Sequence, residues 1–224
     1  MATDHDHLAT VRQIVPRLWQ LLGQLRPTFH LDTVAAVDGA FLQRHGIRAV
    51  LWDVDGTIMS YHARDIDPGF AHVRELFRDG PARHAILSNC DEVRFEELGT
   101  IFPEVAIVRG YTTSDGPVFR SKTNGTDTHT PGEVERLLAA GGRQIRKPSS
   151  ELVRYCMRAL EVDDPHAVLM VGDQYLTEVA SANLAGVRSA KVNTFRRDTF
   201  PRAIRLSQRL EALLYAAVGG TIDG

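Results

Sequence analysis

Seven residues of this chain could do chemistry together. Asp53 and Asp55 flank a single valine at the end of an apolar run, "RAVLWDVDGTI". Two carboxylates so close repel each other and are costly to bury unless something neutralises them. A bound cation is the usual remedy, and oxygen-rich sites of this kind suit Mg²⁺. Ser88 and Asn89 follow a second apolar run, "HAILS". Lys147 lies in "RQIRKPSS", just before a helical pattern. Asp173 follows a further run, "LMVGD", with Glu178 five positions on.

Those residues need a frame that brings distant loops to one edge. The runs at 47–54, 84–88, 105–108, 167–172 and 188–193 are short, continuous and apolar, as strands covered on both faces are. Helical patterns alternate with them. Residues 68–80 begin with Pro68 and stop at Gly80. Residues 91–99 carry Asp91 as a cap, 149–162 carry Ser149, and 177–186 end at Gly186. This rhythm predicts an α/β fold: a doubly wound, mostly parallel, Rossmann-like sheet with helices on both faces. In such sheets ligands bind at the carboxyl ends of the strands, where Asp53, Asp55, Ser88 and Asp173 fall.

The rhythm breaks between Val108 and Arg146. Asp115-Gly116 signals a hairpin turn, and Thr130 and Pro131 open a helix. The expected organisation is an N-terminal amphipathic segment over 1–32 and one domain over 33–224. A small insertion at about 109–146 decorates that domain before Lys147. The N-terminal pattern runs over 8–26 with Leu8, Val11, Val15, Leu18, Leu22 and Leu25 on one face, weakened by Pro16.

The ordered set of Asp-x-Asp-x-Thr, strand-ending Ser88, Lys147 and Gly-Asp followed by a further acid resembles the haloacid dehalogenase-like (HAD) phosphatases, over roughly residues 45 to 195. The resemblance implies phosphoryl transfer through an aspartyl-phosphate. Asp53 would be the nucleophile, and Asp55 the acid that protonates the leaving oxygen and then deprotonates water. Ser88 and Lys147 would bind the phosphoryl oxygens, Lys147 also offsetting the charge of Asp53. Mg²⁺ would be held by Asp53, Asp173 and the backbone carbonyl of Asp55, with Glu178 either a ligand or a support. Asn89 either touches substrate or caps the next helix. Thr57 and Gly56 would steady and turn the loop.

Asp53 and Ser88 are too close in sequence for a large cap domain between them, and an open site favours bulky substrates. Three stretches resemble the class III clade of phosphatidylglycerophosphate phosphatases: "RPTFHLDTVAAVDGAFLQRHGIRAVLWDVDGTI", "GDQYLTEVASANLAGVRSAKVNTF" and "FPRAIRLSQRLEALL". That implies an anionic lipid headgroup as substrate. Gly56 stands where that clade usually has Asn, and Glu178 where it has Asp. The alternatives are a soluble sugar-phosphate or nucleotide phosphatase, with the insertion as a lid, and a non-catalytic HAD-fold binding protein. Arg109, Arg120 and Lys122 either lie near an anionic substrate or belong to a solvated hairpin.

The net charge of −2 gives no argument for nucleic acid. Charge is uneven, however. Residues 8–30 hold Arg12, Arg17 and Arg26 and no acid, and residues 188–214 hold seven Arg or Lys against Asp198 and Glu211. Such segments either contact an anionic membrane surface peripherally or pack on the sheet. Two cysteines, Cys90 and Cys156, make no disulfide framework, and "MATDHDHLATVRQ" does not read as a secretory signal. The expected location is the cytoplasm, with the inner face of the membrane as the peripheral option.

Overall fold

The computed structural model describes residues 14–220. The strands are β1 (Phe29–Leu31), β2 (Ala49–Trp52), β3 (Arg83–Leu87), β4 (Ala106–Thr113), β5 (Gly116–Thr123), β6 (Thr126–Asp127), β7 (Arg143–Ile145), β8 (Val168–Gly172) and β9 (Arg188–Val192). The helices are α1 (Leu18–Leu22), α2 (Gly39–Arg44), α3 (Ala71–Asp79), α4 (Glu92–Ile101), α5 (Pro131–Ala139), α6 (Ser150–Ala159), α7 (Ala180–Ala185) and α8 (Arg202–Ala217). All strands join one sheet in the order β1-β9-β8-β2-β3-β4-β5-β6, with β7 also on β4. From β1 to β4 the pairing is parallel, and β5, β6 and β7 add antiparallel edges. The sheet is the mostly parallel, Rossmann-like α/β sheet that the strand-helix rhythm predicts.

Continuous apolarity in the central strands has its expected cause. Every residue of β2 and β8 is buried. Successive side chains point to opposite faces. Val50 and Trp52 pack with Phe77 of α3 and Phe95 of α4, while Ala49 and Leu51 pack with Val153 and Cys156 of α6. Helix starts are equally local in origin. Asp91 and Ser149 accept backbone N–H bonds at the starts of α4 and α6, and Thr130 with Glu133 forms a full capping box on α5. Before α7, residues Tyr175–Val179 form a π-helical turn, and Gly186 ends α7 in the left-handed conformation.

The 109–146 region is a hairpin turning at Ser114-Asp115, then α5 and the return strand β7. Neither expectation for its cations holds. Arg109 and Arg120 are buried, and pair with Glu92 and with Glu92, Glu96 and Asp127 respectively; Lys122 pairs with Glu96. Arg120 also lies over the Phe95 ring. The hairpin is riveted to α4, and these charges are spent internally. The helical pattern over 8–26 is only partly described. Residues Val15–Arg17 form a 3₁₀ turn and α1 stops at Leu22, while Leu8 and Val11 lie outside the described residues. Leu21 and Leu25 pack against Tyr175, Val179 and Tyr215 in a satellite core. Among the described residues no helix is long and apolar enough to cross a membrane.

Candidate active site

The cleft forms where β2 and β3 end. Asp53 continues β2 by one hydrogen bond, its N–H donating to Val171 O at 2.9 Å. The chain then turns tightly, with Thr57 and Met59 N–H groups returning to Val54 O at 3.1 Å each. Gly56 makes the turn possible at φ +86°, which L side chains rarely adopt. A Cβ there would also lie 2.7 Å from Phe200 Cζ and 3.1 Å from Asp173 Oδ2.

Lys147 is the electrostatic centre. It is 1% exposed, and its ammonium donates to Asp53 Oδ1 at 2.5 Å and to Leu87 O at 2.8 Å, with Glu178 Oε1 at 2.6 Å. All three of its protons have acceptors. Thr57 Oγ1 donates to the other Asp53 oxygen at 3.2 Å. Glu178 is fully engaged too: Oε2 accepts from Thr177 Oγ1 at 2.6 Å and Gln174 N at 3.2 Å. The bare Cα of Gly172 admits this side chain, since a Cβ there would meet Glu178 Cγ at 2.1 Å.

Asn89 ties two loops together. Its amide donates to Lys147 O at 3.1 Å and its carbonyl accepts from Lys147 N at 2.8 Å. The helix cap that was its alternative role is filled by Asp91. Asp55 faces the cleft, and its Oδ1 accepts from His62 N at 2.9 Å and Arg94 Nη2 at 3.0 Å. Asp53, Asp55, Ser88, Asn89, Lys147 and Glu178 therefore share one cleft. Asp173 does not line it. Asp173 sits behind the Gly56 turn and faces an adjoining cavity with Lys191, Gln208 and Glu211. Gln208 Nε2 donates to Asp173 Oδ2 at 3.1 Å, while Oδ1 is buried without a partner.

Asp53 and Glu178 share the Lys147 ammonium while Asp173 lies in the adjoining cavity with Lys191, so three buried carboxylates face two ammonium groups, and the protonation equilibria register that excess. Burial pushes Asp53 up to about 8; Glu178 and Asp173 add to the rise and Lys147 works against it. Burial and Glu178 raise Asp173 to about 6, with Lys191 opposing. Burial alone would lower Lys147, yet Asp53 and Glu178 hold it above its ordinary value. The site thus has room in its charge balance for a cation. Among the described residues no three or more His, Cys, Asp or Glu side chains converge on one metal position. Mg²⁺ does not need them, because it commonly takes one or two carboxylates and keeps waters and phosphate oxygens as its other ligands. The unpartnered Asp173 Oδ1 fits such a ligand set.

Several residues of the site escape motif reading. Arg94 is 1% exposed on α4 and reaches Asp55 and Glu97. Its signal was positional, since Arg94, Phe95 and Leu98 share the inward face of their helix. Phe200 and Ile204 form an apolar wall of the cleft. Glu211 Oε2 accepts from Tyr175 N at 3.0 Å and Leu176 N at 3.3 Å, capping the π-helical turn from α8.

Residues 144–199 match the HAD-hydrolase-like family, a span that contains Lys147, Asp173 and Glu178. The match supports the HAD superfamily over that minority of the chain. Among curated proteins there is no match. One similar solved structure is an uncharacterized protein from Listeria monocytogenes serotype 4b, 18% identical, covering 64% of this chain and 76% of its own, with a TM-score of 0.41. Another is a candidate p-nitrophenyl phosphatase from Bacillus subtilis, 15% identical, covering 71% of this chain and 66% of its own, with a TM-score of 0.21.

Proposed function

We propose that this chain is a Mg²⁺-dependent phosphomonoester hydrolase acting through an aspartyl-phosphate on Asp53. The observation that carries the reading is the Lys147 ammonium bound to Asp53 in a cleft that Asp55 and Ser88 also line. Asp53 Oδ1 or Oδ2 attacks phosphorus, the ester oxygen leaves, and Asp55 gives that oxygen its proton. Asp55 then takes a proton from water as the water attacks phosphorus, which frees phosphate and regenerates Asp53. Arg94 and His62 N–H fix the Asp55 carboxylate between these two roles. Ser88 binds a phosphoryl oxygen, and Lys147, bonded to Asp53, Leu87 O and Glu178, offsets the charge of Asp53 and of the phosphoryl group. Asn89 keeps the Lys147 loop in register with the end of β3. When bound, Mg²⁺ would be held by Asp53, Asp173 and the Asp55 carbonyl, and would offset negative charge on the phosphoryl group. Glu178 is assigned a supporting role, because both its oxygens are already bonded.

The substrate proposed first is an anionic lipid phosphomonoester of the phosphatidylglycerophosphate type, on the strength of the clade resemblance and the basic C-terminal region. Asp53→Asn removes the nucleophile at almost unchanged volume, so it should abolish phosphate release while circular dichroism and thermal unfolding stay close to wild type. Substantial turnover by that variant would refute the mechanism. A phosphate-release panel should include phosphatidylglycerophosphate in mixed micelles beside sugar phosphates and nucleotides. Preference for a soluble ester would replace the lipid assignment and leave the chemistry standing.

A further inference from the structure

Helix α8 is inside out. Its buried side chains are Gln208, Glu211 and Tyr215. Its leucines face solvent, with Leu206 67%, Leu210 56% and Leu213 63% exposed. Their spacing of four and three puts them on one stripe, which exposed Ala203 and Ala217 extend. Single exposed leucines are ordinary, but three in register on one helix form a patch that calls for a partner.

The charge around the stripe identifies that partner's chemistry. Arg202, Arg205 and Arg209 fall along the stripe and its flank, and the helix's only acid, Glu211, is buried on the opposite side. The outward face is therefore apolar and cationic with no anionic group of its own. At the start of the helix Phe200 and Ile204 line the cleft from its inward side, so the helix that carries the stripe also forms part of the cleft wall. Trp19 is 88% exposed on α1, whose Leu21 shares a satellite core with Tyr215 of α8. Indole rings favour the boundary between lipid and water.

We propose that the outward face of α8 docks on an anionic bilayer, with Leu206, Leu210 and Leu213 entering the acyl boundary and Arg202, Arg205 and Arg209 meeting lipid phosphates. The inference rests on the phosphatase reading only in supposing that the bound surface presents the substrate. The binding itself can be measured without turnover.

The test is co-sedimentation of the full chain with phosphatidylglycerol vesicles and with phosphatidylcholine vesicles at low and high salt. Wild type should bind phosphatidylglycerol at low salt, lose several-fold at high salt, and bind phosphatidylcholine poorly. The triple variant Leu206→Gln, Leu210→Gln, Leu213→Gln should lose more than about tenfold in partitioning, since the apolar contribution goes with the leucines. Arg202→Gln, Arg205→Gln, Arg209→Gln should bind weakly at low salt and lose the salt dependence. Hydrolysis of a small soluble phosphate ester by the leucine variant should stay at wild-type rate. No wild-type binding at low salt overturns the proposal, as does binding that survives the leucine changes. A dimeric wild type made monomeric by the leucine changes would also overturn it and assign the stripe to a second copy of the chain. Vesicle binding without lipid hydrolysis would support docking while removing the lipid-substrate assignment.

Discussion

Glu211 offers a quantitative test of how the C-terminal helix is built into the site. It is 3% exposed, and burial raises its carboxyl from 4.5 to about 8, with Glu178 and Asp173 adding to the rise and the N–H groups of Leu176 and Tyr175 opposing it. The folded protein therefore keeps this proton to higher pH than the unfolded chain does. The stability that Glu211 contributes is fully present below 4.5 and is lost as pH rises through about 8. Between those limits the loss is roughly 1.4 kcal/mol per pH unit. Glu211→Gln keeps the size and a carbonyl that can accept from the same two N–H groups, but it cannot ionise. From about pH 5.5 to about pH 7.5 the stability of the variant relative to wild type should grow by about 3 kcal/mol. With a urea slope of about 3 kcal/mol/M for a chain of this size, the wild-type midpoint should fall by about 1 M relative to the variant. The titration of Asp53 is common to both proteins, and the interaction of Glu211 with Asp173 and Glu178 is part of the difference being read. Urea unfolding of the two proteins at the two pH values measures it. Midpoints that move in parallel would refute the claim that Glu211 is neutral in the fold.

The raised values of Asp53 and Asp173 predict a pH-dependent metal effect. Their stability contributions are present at low pH and are lost as pH rises through about 6 for Asp173 and about 8 for Asp53, so Mg²⁺ should stabilise the EDTA-treated protein more at about pH 8.5 than at about pH 6. At a hundredfold excess over Kd the gain is about 3 kcal/mol, a melting-temperature rise of roughly 5–10 °C; a larger rise at the lower pH, or none at either, would refute it. Gly56→Ala should cost about 2–4 kcal/mol in chemical unfolding, from the positive φ and from the 2.7 Å approach to Phe200. Adding Phe200→Ala should recover part of that cost, and strict additivity of the two changes would show that the ring is not the obstacle.

Legibility in the sequence followed the locality of the cause. Buried on both faces, β2 and β8 show as unbroken apolar runs, and Asp91, Ser149, Thr130 and Gly186 mark helix ends through bonds a few residues away. The grouping of Asp53, Asp55 and Ser88 was legible because strand ends in a parallel sheet meet at one edge, whereas Lys147 follows the antiparallel β7 and was legible only through the ordered motif set. The three-residue strands β1 and β7 were not, since so short a run carries no period. Arg109 and Arg120 read as surface cations because their partners, Glu92, Glu96 and Asp127, lie on another helix or across a hairpin. The inward side of α8 was undecided for a different reason. Its sequence left open whether it packs on the sheet or faces a membrane surface, and only the tertiary contacts of Gln208 and Glu211 show which side turns inward.

That inward polar side has a structural logic of its own. Among the described residues there is no large cap domain, and the segment after β9 covers the carboxyl edge of the sheet. Phe195 N–H donates to Gly56 O at 2.7 Å, and Thr199 Oγ1 accepts from Tyr61 N at 3.2 Å. Phe200 then fills the space that Gly56 leaves, and Gln208 and Glu211 reach Asp173 and the π-helical turn. A helix recruited to bond a buried carboxylate and two backbone N–H groups must turn polar residues inward, because unpaired groups there would each cost about 1–3 kcal/mol. An α-helix that spends its inner face on polar contacts can keep amphipathic leucines only on the outside. The exposed stripe of α8 and the bonded oxygen of Asp173 are thus two sides of one helix, and a surface that holds the stripe would also brace the residue behind the Gly56 turn.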